Sequence, residues 1–233
     1  MSVPENWLRE SLAFLHESVS STPLRRHAEL FAPERIDSPD LADALQAAHA
    51  SFLSDLGRWG MTLADPRKVF EQLALAPNLQ ATFFYRSCRA LFLAGVAFIP
   101  DVIAVASRQL TAIEIYYSAD IGPGLKVIHG AGTVIGAKCK IGSHFTVYQN
   151  VTVGDKLGRQ TGARPELGDH VIASTGAQVL GPVHVGSETI IGANAVVLDS
   201  LPNRCIAAGI PAKVKVADLS DEQFAEFWKS IRF

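Results

Sequence analysis

From Ile113 onward apolar residues return at every sixth position, and few architectures can satisfy that period. Ile115, Ile121 and Val127 form one run, and Ile135, Ile141, Val147 and Val153 a second. Leu167, Ala173, Val179, Val185, Ile191 and Val197 form a third. A second apolar or small residue usually stands two places earlier, as at Val151, Val171, Ala177, Val183, Thr189 and Ala195. Glycine follows the six-step residue at Gly122, Gly136, Gly142, Gly154, Gly168, Gly186 and Gly192. An antiparallel sandwich would space its strands by about eight to twelve residues. Six residues suit a triangular solenoid, in which each unit supplies one short strand and one corner. The six-step residue points inward, three units close a turn, and Gly or small residues meet the tight corner geometry.

The repeat is broken twice. A step of eight separates Val127 from Ile135 and contains His129-Gly130-Ala131-Gly132. A longer gap between Val153 and Leu167 holds a polar stretch, Asp155 to Glu166, with Lys156, Arg159 and Arg164. A solenoid expels such an insertion as a loop, and loops on a rigid scaffold are where chemistry concentrates. Functional residues are therefore expected near His129 and in that loop.

Upstream of the repeat the period is helical. Trp7, Leu8, Leu12, Leu15 and Val19 fall at three- and four-residue steps. Ser38-Pro39 reads as an N-cap followed by Pro at the first helical position, opening a helix towards Trp59. Asp65-Pro66 repeats the device, with a break expected near Pro77. Phe83 to Leu93 and Val102 to Leu110 continue the pattern, separated by Gly95 and Pro100. Near the C-terminus Ser220-Asp221-Glu222-Gln223 has capping-box form ahead of Phe224, Phe227 and Trp228. The expected organisation is α+β: an α-helical assembly domain over 1–112, the solenoid over 113–216, and a C-terminal helix and tail over 217–233.

Composition narrows the functional classes. Hydrophobic residues make up 48% and charged residues 19% of the 233, which favours a packed core over disorder. A formal net charge of −2 gives no reason to expect a nucleic-acid partner. The longest apolar stretch, Ala90 to Val105, is interrupted by Gly95, Pro100 and Asp101, so no membrane span is expected. The N-terminal residues have no apolar signal-peptide core. Cys88, Cys139 and Cys205 lie far apart and read as reduced thiols in a cytoplasmic protein. His129, His144 and His184 are not spaced by whole 18-residue coils, so no metal is expected, and a structural or carbonate-handling solenoid is disfavoured. His144, His170 and His184 read as solvated corner positions.

Several of these segments together resemble the serine acetyltransferases of the hexapeptide-repeat acyltransferase superfamily. The resemblance runs through Tyr85-Arg86, Ile113-Glu114-Ile115, Gly122-Pro123-Gly124, His129, Gln149-Asn150-Val151-Thr152 and Ala207-Ala208-Gly209-Ile210-Pro211-Ala212-Lys213. It covers about two thirds of the chain. It implies a left-handed parallel β-helix, acetyl-CoA as co-substrate, a part in cysteine biosynthesis, and assembly into a homotrimer or a dimer of trimers. The family's catalytic histidine falls on His129. Its partner carboxylate, an Asp in the family, falls on Glu114, at the family spacing of 129 − 114 = 15. The implied mechanism is direct transfer. Neutral His129 removes the proton of the acceptor hydroxyl as it attacks the thioester, and Glu114 holds the imidazole.

The resemblance also places substrate-binding roles on Asp65, Arg164 and Gln149. It puts the cofactor along Gly154, Gly176, Ala177, Gly192 and Ala193, with Lys213 and Lys215 near the nucleotide phosphates. Two departures touch the acceptor. The family's second Asp, just before the catalytic His, is Ile128 here, and its Arg-His loop pair falls on Ala163 and Arg164. Each lost charged contact to a zwitterion costs about 1.5–3 kcal/mol. Serine is the first acceptor; a modified amino acid, a carrier-bound seryl group, a sugar or an amine is the alternative. Family members that dock onto the cysteine synthase partner end in isoleucine, whereas this chain ends in Phe233, which speaks against that complex.

Overall fold

A computed structural model describes residues 7–31, 39–61, 66–156 and 163–230. Helix α1 (Trp7–Ser20) leads through a 3-10 helix, Arg25–Phe31, to α2 (Pro39–Gly57), α3 (Pro66–Leu75), α4 (Pro77–Leu93) and α5 (Ile99–Thr111). Pro39, Pro66 and Pro77 each stand first in their helices, where a missing N–H costs nothing. Pro100 does not separate two helices as the sequence suggests; it lies in the first turn of α5. Trp7, Phe14, Phe52, Phe70, Phe83 and Phe84 pack as one aromatic cluster at the centre of these helices.

The strands then wind in coils. The first coil is β1 (Glu114–Ile115), β2 (Asp120–Ile121) and β3 (Lys126–Val127). The second is β4 (Val134–Ile135), β5 (Lys140–Ile141) and β6 (Thr146–Val147). The third is β7 (Thr152–Gly154), β8 (Glu166–Leu167) and β9 (Ile172–Ala173). The fourth is β10 (Gln178–Leu180), β11 (His184–Val185) and β12 (Ile190–Ile191). The fifth has β13 (Val196–Val197), a bridge from Leu201 to Val185, and β14 (Ile206–Ala208). Strand β15 (Lys213–Val216) turns back antiparallel onto β14, and α6 (Asp221–Ser230) follows. Stacking gives three parallel faces, β1-β4-β7-β10-β13, β2-β5-β8-β11 and β3-β6-β9-β12-β14. The architecture is N-terminal helices followed by a left-handed parallel β-helix.

All thirteen six-step residues lie on strands, and all but Ile115, at the open end, are buried. Each Val, Leu or Ile so buried is worth about 1.5–3 kcal/mol, which is what holds two-residue strands in place. The long gap does not break the stack: Lys140 pairs with Glu166 and Ile141 with Leu167, so β5 and β8 stay in register. The corner chemistry differs from the sequence reading. Left-handed backbone falls on Lys138, His144, Asn150, His170, Glu188, Asn194 and Arg204, with φ between 54° and 62°. Gly122, Gly142, Gly168 and Gly186, each after a six-step residue, answer to crowding instead. A Cβ on Gly142 would lie 2.7 Å from the carbonyl carbon of Gly168 in the next coil.

At the open end of the solenoid the first coil has no preceding coil to bond. Helix α4 supplies the missing partners. Tyr85 Oη donates to Ala119 O (3.0 Å) and accepts from Ile121 N (3.1 Å). Arg86 donates to Ile121 O (2.6 Å) and Gly122 O (2.7 Å). Its Nε and Nη2 also donate to Asp55 of α2 at 2.7 and 3.0 Å, and Asp55 Oδ1 accepts from Leu125 N at 2.7 Å. Burial pushes the Asp55 carboxyl up from its ordinary value, against the pull of the adjacent Arg86 guanidinium.

Helix α6 lies over the face built by β9, β12 and β14. Ile128, Ile172, Ile190, Leu219 and Phe224 form a cluster there, with Tyr148, Ile206 and Trp228 against it. The expected capping box is present: Ser220 Oγ accepts from Gln223 N (3.2 Å), and Gln223 Oε1 accepts from Ser220 N (3.0 Å). Arg204 pins the helix through Leu219 O (2.7 Å), Asp221 (2.7 Å) and Glu188.

Candidate active site

His129 follows β3 in the six-residue corner that leads to β4. Its φ is 60°, and the next residue, Gly130, has φ 80°. The Gly130 N–H donates to Ile128 O (2.7 Å) and Thr133 N to Gly130 O (2.9 Å), which folds the corner tightly. A side chain at residue 130 would strike Ile113 Cδ1 at 2.5 Å, so this glycine is demanded by both space and backbone. The result projects His129 outward as an exposed residue, while Ile128 is 4% exposed beneath it.

Glu114 is on β1, the adjoining edge strand, and its N–H donates to Thr133 O at the end of the same corner (2.9 Å). Its carboxylate turns to Arg108 of α5 at 3.5 Å. No hydrogen bond joins it to His129 among the described residues. Together with Asp101, Ser107, Arg108, Tyr116 and Tyr117 it lines a cavity of about 200 Å³ between α5 and β1.

The remaining candidates are spread over the coils. Asp65 lies outside the described residues. Arg164 donates to Asp155 (3.1 Å) and Ala137 O (3.2 Å), so its charge is already paired inside the chain. Gln149 accepts from Thr175 Oγ1 at 3.3 Å. Gly154 is buried on β7 and Ala177 is buried one coil on, whereas Gly176, at φ 70°, and Ala193 stand at corners. Gly192 follows β12 and packs against Ala208. Lys213 meets Asp199 at 3.3 Å and Lys215 is exposed, both on β15.

Two histidine readings change. His184 is not a corner residue; it sits on β11 with its side chain exposed, because the period places it one step before the inward Val185. His144 and His170 are corners but are not freely solvated. Their rings stack at 4.7 Å, and Trp228 of α6 stands edge-on to His170 at 5.0 Å. Burial, His170 and Arg58 together lower the His144 pKa from its ordinary value. The three cysteines are free and buried, and burial raises the pKa of each, that of Cys139 to about 11, the opposite of what an activated thiolate needs. Among the described residues no group of three or more His, Cys, Asp or Glu is arranged to hold a metal.

Several residues near the corner escaped the sequence reading. Arg58, after α2, donates to Gly124 O (2.8 Å) and Thr146 Oγ1 (3.0 Å), with its guanidinium 4.3 Å from the Trp228 ring. Lys126 is 1% exposed, its ammonium 4.5 Å from the Trp59 ring. Asn78 Nδ2 donates to Val127 O, two residues before His129 (2.9 Å). A buried lysine on a strand was visible as an oddity of the repeat; the others had no signal in spacing.

Similarity to known proteins decides the family. The serine acetyltransferase of Helicobacter pylori (strain J99 / ATCC 700824) is 42% identical over 153 residues, 65% of this chain and 89% of that protein. The chain belongs to the serine acetyltransferase family. Among solved serine acetyltransferases, the soybean protein complexed with serine aligns with a TM-score of 0.71 at 25% identity, covering 92% of this chain and 85% of that one. A serine acetyltransferase in complex with CoA aligns with a TM-score of 0.63 at 26% identity, covering 87% and 83%. No family model matches the chain. As a serine acetyltransferase family member the chain is an acyltransferase, and the helical region and the coils both lie within the aligned span.

Proposed function

We propose that the chain transfers the acetyl group of acetyl-CoA to the hydroxyl of serine, with His129 as general base. The observation that carries this reading is the corner itself. A non-glycine residue in left-handed backbone, braced by Gly130 and Thr133, presents one imidazole outward at the break in the repeat. Similarity to proteins complexed with serine and with CoA supports the two substrates. In the step, Nε2 or Nδ1 of neutral His129 accepts the hydroxyl proton as the oxygen bonds to the thioester carbon. The tetrahedral intermediate then collapses with cleavage of the C–S bond, and the imidazolium returns the proton to the departing CoA thiolate.

Glu114, one strand away, orients and stabilises the imidazolium once its carboxylate leaves Arg108. Exchange of a 3.5 Å, half-exposed ion pair for a charged hydrogen bond needs little free energy, since such surface pairs are worth about 0–1 kcal/mol. Acceptor contacts come from Asp65, Gln149 and Arg164, the last after release from Asp155. The later coils at Gly154, Gly176-Ala177 and Gly192-Ala193 take the pantetheine arm, and Lys213 and Lys215 take the phosphates. An exposed imidazole needs a second wall to exclude water, and a neighbouring protomer of a homotrimer, single or paired, supplies it. Three unpaired buried cysteines favour a reducing, cytoplasmic compartment.

Free CoA release with serine as acceptor tests the mechanism. His129→Ala should lower kcat by about 10²–10⁴-fold with the oligomer intact. A variant with near-normal turnover would remove His129 as the base.

A further inference from the structure

The direction of the His129 ring depends on the peptide planes just before it, and one of these is held from outside the solenoid. In a parallel ladder alternate residues turn both backbone groups to the same neighbour. Lys126 N–H donates to Phe145 O (2.8 Å) and Ile128 N–H to Val147 O (2.8 Å), so these two residues bond the second coil. Val127, between them, turns its carbonyl the other way, towards the open end, where no coil precedes β3. That carbonyl is on a residue only 1% exposed, so water is a poor partner. Asn78, in the first turn of α4, donates to it at 2.9 Å.

We propose that Asn78 is a positioning residue for catalysis, which rests on the reading of His129 as the base. The Val127–Ile128 peptide is clamped at both ends, by Asn78 on its carbonyl and by Val147 O on its N–H. The Ile128–His129 peptide is then fixed by Gly130 N on Ile128 O. Without the amide of Asn78 the first plane loses one of its two restraints and leaves a buried acceptor unpaired. It relieves that by rotating, and the rotation passes through the next peptide to the His129 imidazole. A misplacement of about 1 Å costs up to about 10²-fold in turnover, with substrate binding largely kept. Helix α4, which Tyr85 and Arg86 tie to the rest of the first coil, thus reaches the peptide next to the base through the Asn78 amide.

Asn78→Asp tests this sharply, since it keeps the shape of the side chain and removes the donor at neutral pH; Asn78→Ala is the second variant. Arg89→Ala is the control: Arg89 caps Tyr117 O and Ser118 O at the same open end, away from Val127. Both Asn78 variants should lose at least about tenfold in kcat with the KM values for acetyl-CoA and serine nearly unchanged. Arg89→Ala should lower melting temperature while keeping kcat. Unchanged kcat in both Asn78 variants beside an inactive His129→Ala overturns the role of Asn78 alone. So does an equal loss of kcat in Arg89→Ala, which makes the effect one of general loosening. Full turnover in His129→Ala removes the general base, and the positioning role with it.

Discussion

The solenoid is finished differently at its two exposed boundaries. At the N-terminal end, side chains of α4 and α2 meet bare backbone groups: Tyr85, Arg86, Asn78 and Asp55 act as substitutes for a missing coil. Over the face of β9, β12 and β14 the backbone is already paired, and α6 covers outward isoleucines with Phe224 and Trp228. The first boundary is polar, buried and directional; the second is apolar and held at its rim by Arg204 and the edge-on contact of Trp228 with His170. A repeat needs hydrogen-bond completion at its ends and water exclusion on its sides, and the two tasks call for different side chains.

Three substitutions or conditions put that contrast to the test. The largest effect belongs to Arg86→Ala, which strands the Asp55 charge and two carbonyls. It should cost about 3–5 kcal/mol, read as a shift in denaturant midpoint. Asp55→Leu combined with Arg86→Met removes both charges yet leaves Ile121 O and Gly122 O without donors. It should therefore recover only part of the loss. Full recovery would mean that the carbonyls do not need the cap.

At the second boundary Trp228→Ala should weaken α6 docking by about 1–2 kcal/mol, from apolar contact and the Arg58 cation–π pair. Amide exchange should speed up across 221–230 and leave the coils untouched. If exchange also rises near Arg58, the two boundaries are coupled through that residue.

The smallest effect concerns pH. The His144 pKa is lowered in the folded chain by burial, by His170 and by Arg58, with Asp169 opposing. Undocking of α6 takes the Trp228 ring away from His144 and His170 and so removes part of that burial. The docked helix therefore favours neutral His144; that preference is intact above about pH 6.5 and is lost as pH falls below it. Exchange at α6 should rise on acidification in the unmodified chain and respond less in His144→Gln. An α6 that docks more firmly at pH 5.5 would reverse the sign and refute the arrangement.

What could be read in the sequence divides along the same line. The inward residues follow from one period, so every strand of the coils from Ile115 to Val197 was legible, and so was the resumption of the stack at Leu167 after the gap. Helix starts at Pro39 and Pro66 were legible because proline marks them locally, whereas Pro77 read only as a break and is in fact the first residue of α4. The cap was not. Asp55 contacts Leu125 seventy positions away, and Asn78 contacts Val127 across forty-nine. No local pattern encodes such pairings, although Arg86 amid Phe83, Phe84 and Cys88 was a charge in a buried helix face that called for a partner. The corner at His129 was marked by the broken period, but the turn of Glu114 to Arg108 depends on α5, whose approach to β1 spacing does not reveal. His144 and His170 were misjudged as solvated because α6 returns over them from the far end of the chain.

The unbroken pairing of β5 with β8 has a consequence for how such a scaffold varies. Because β7 pairs with β4 and β10 on one side of it, and β8 with β5 and β11 on the other, the ladder closes whatever the length of the intervening chain. Doubling a tether costs only about 0.6 kcal/mol in closure entropy. The stretch is thus an exchangeable cassette: its composition can drift or be grafted from a relative while pitch, cross-section and the Val127–His129 corner stay as they are.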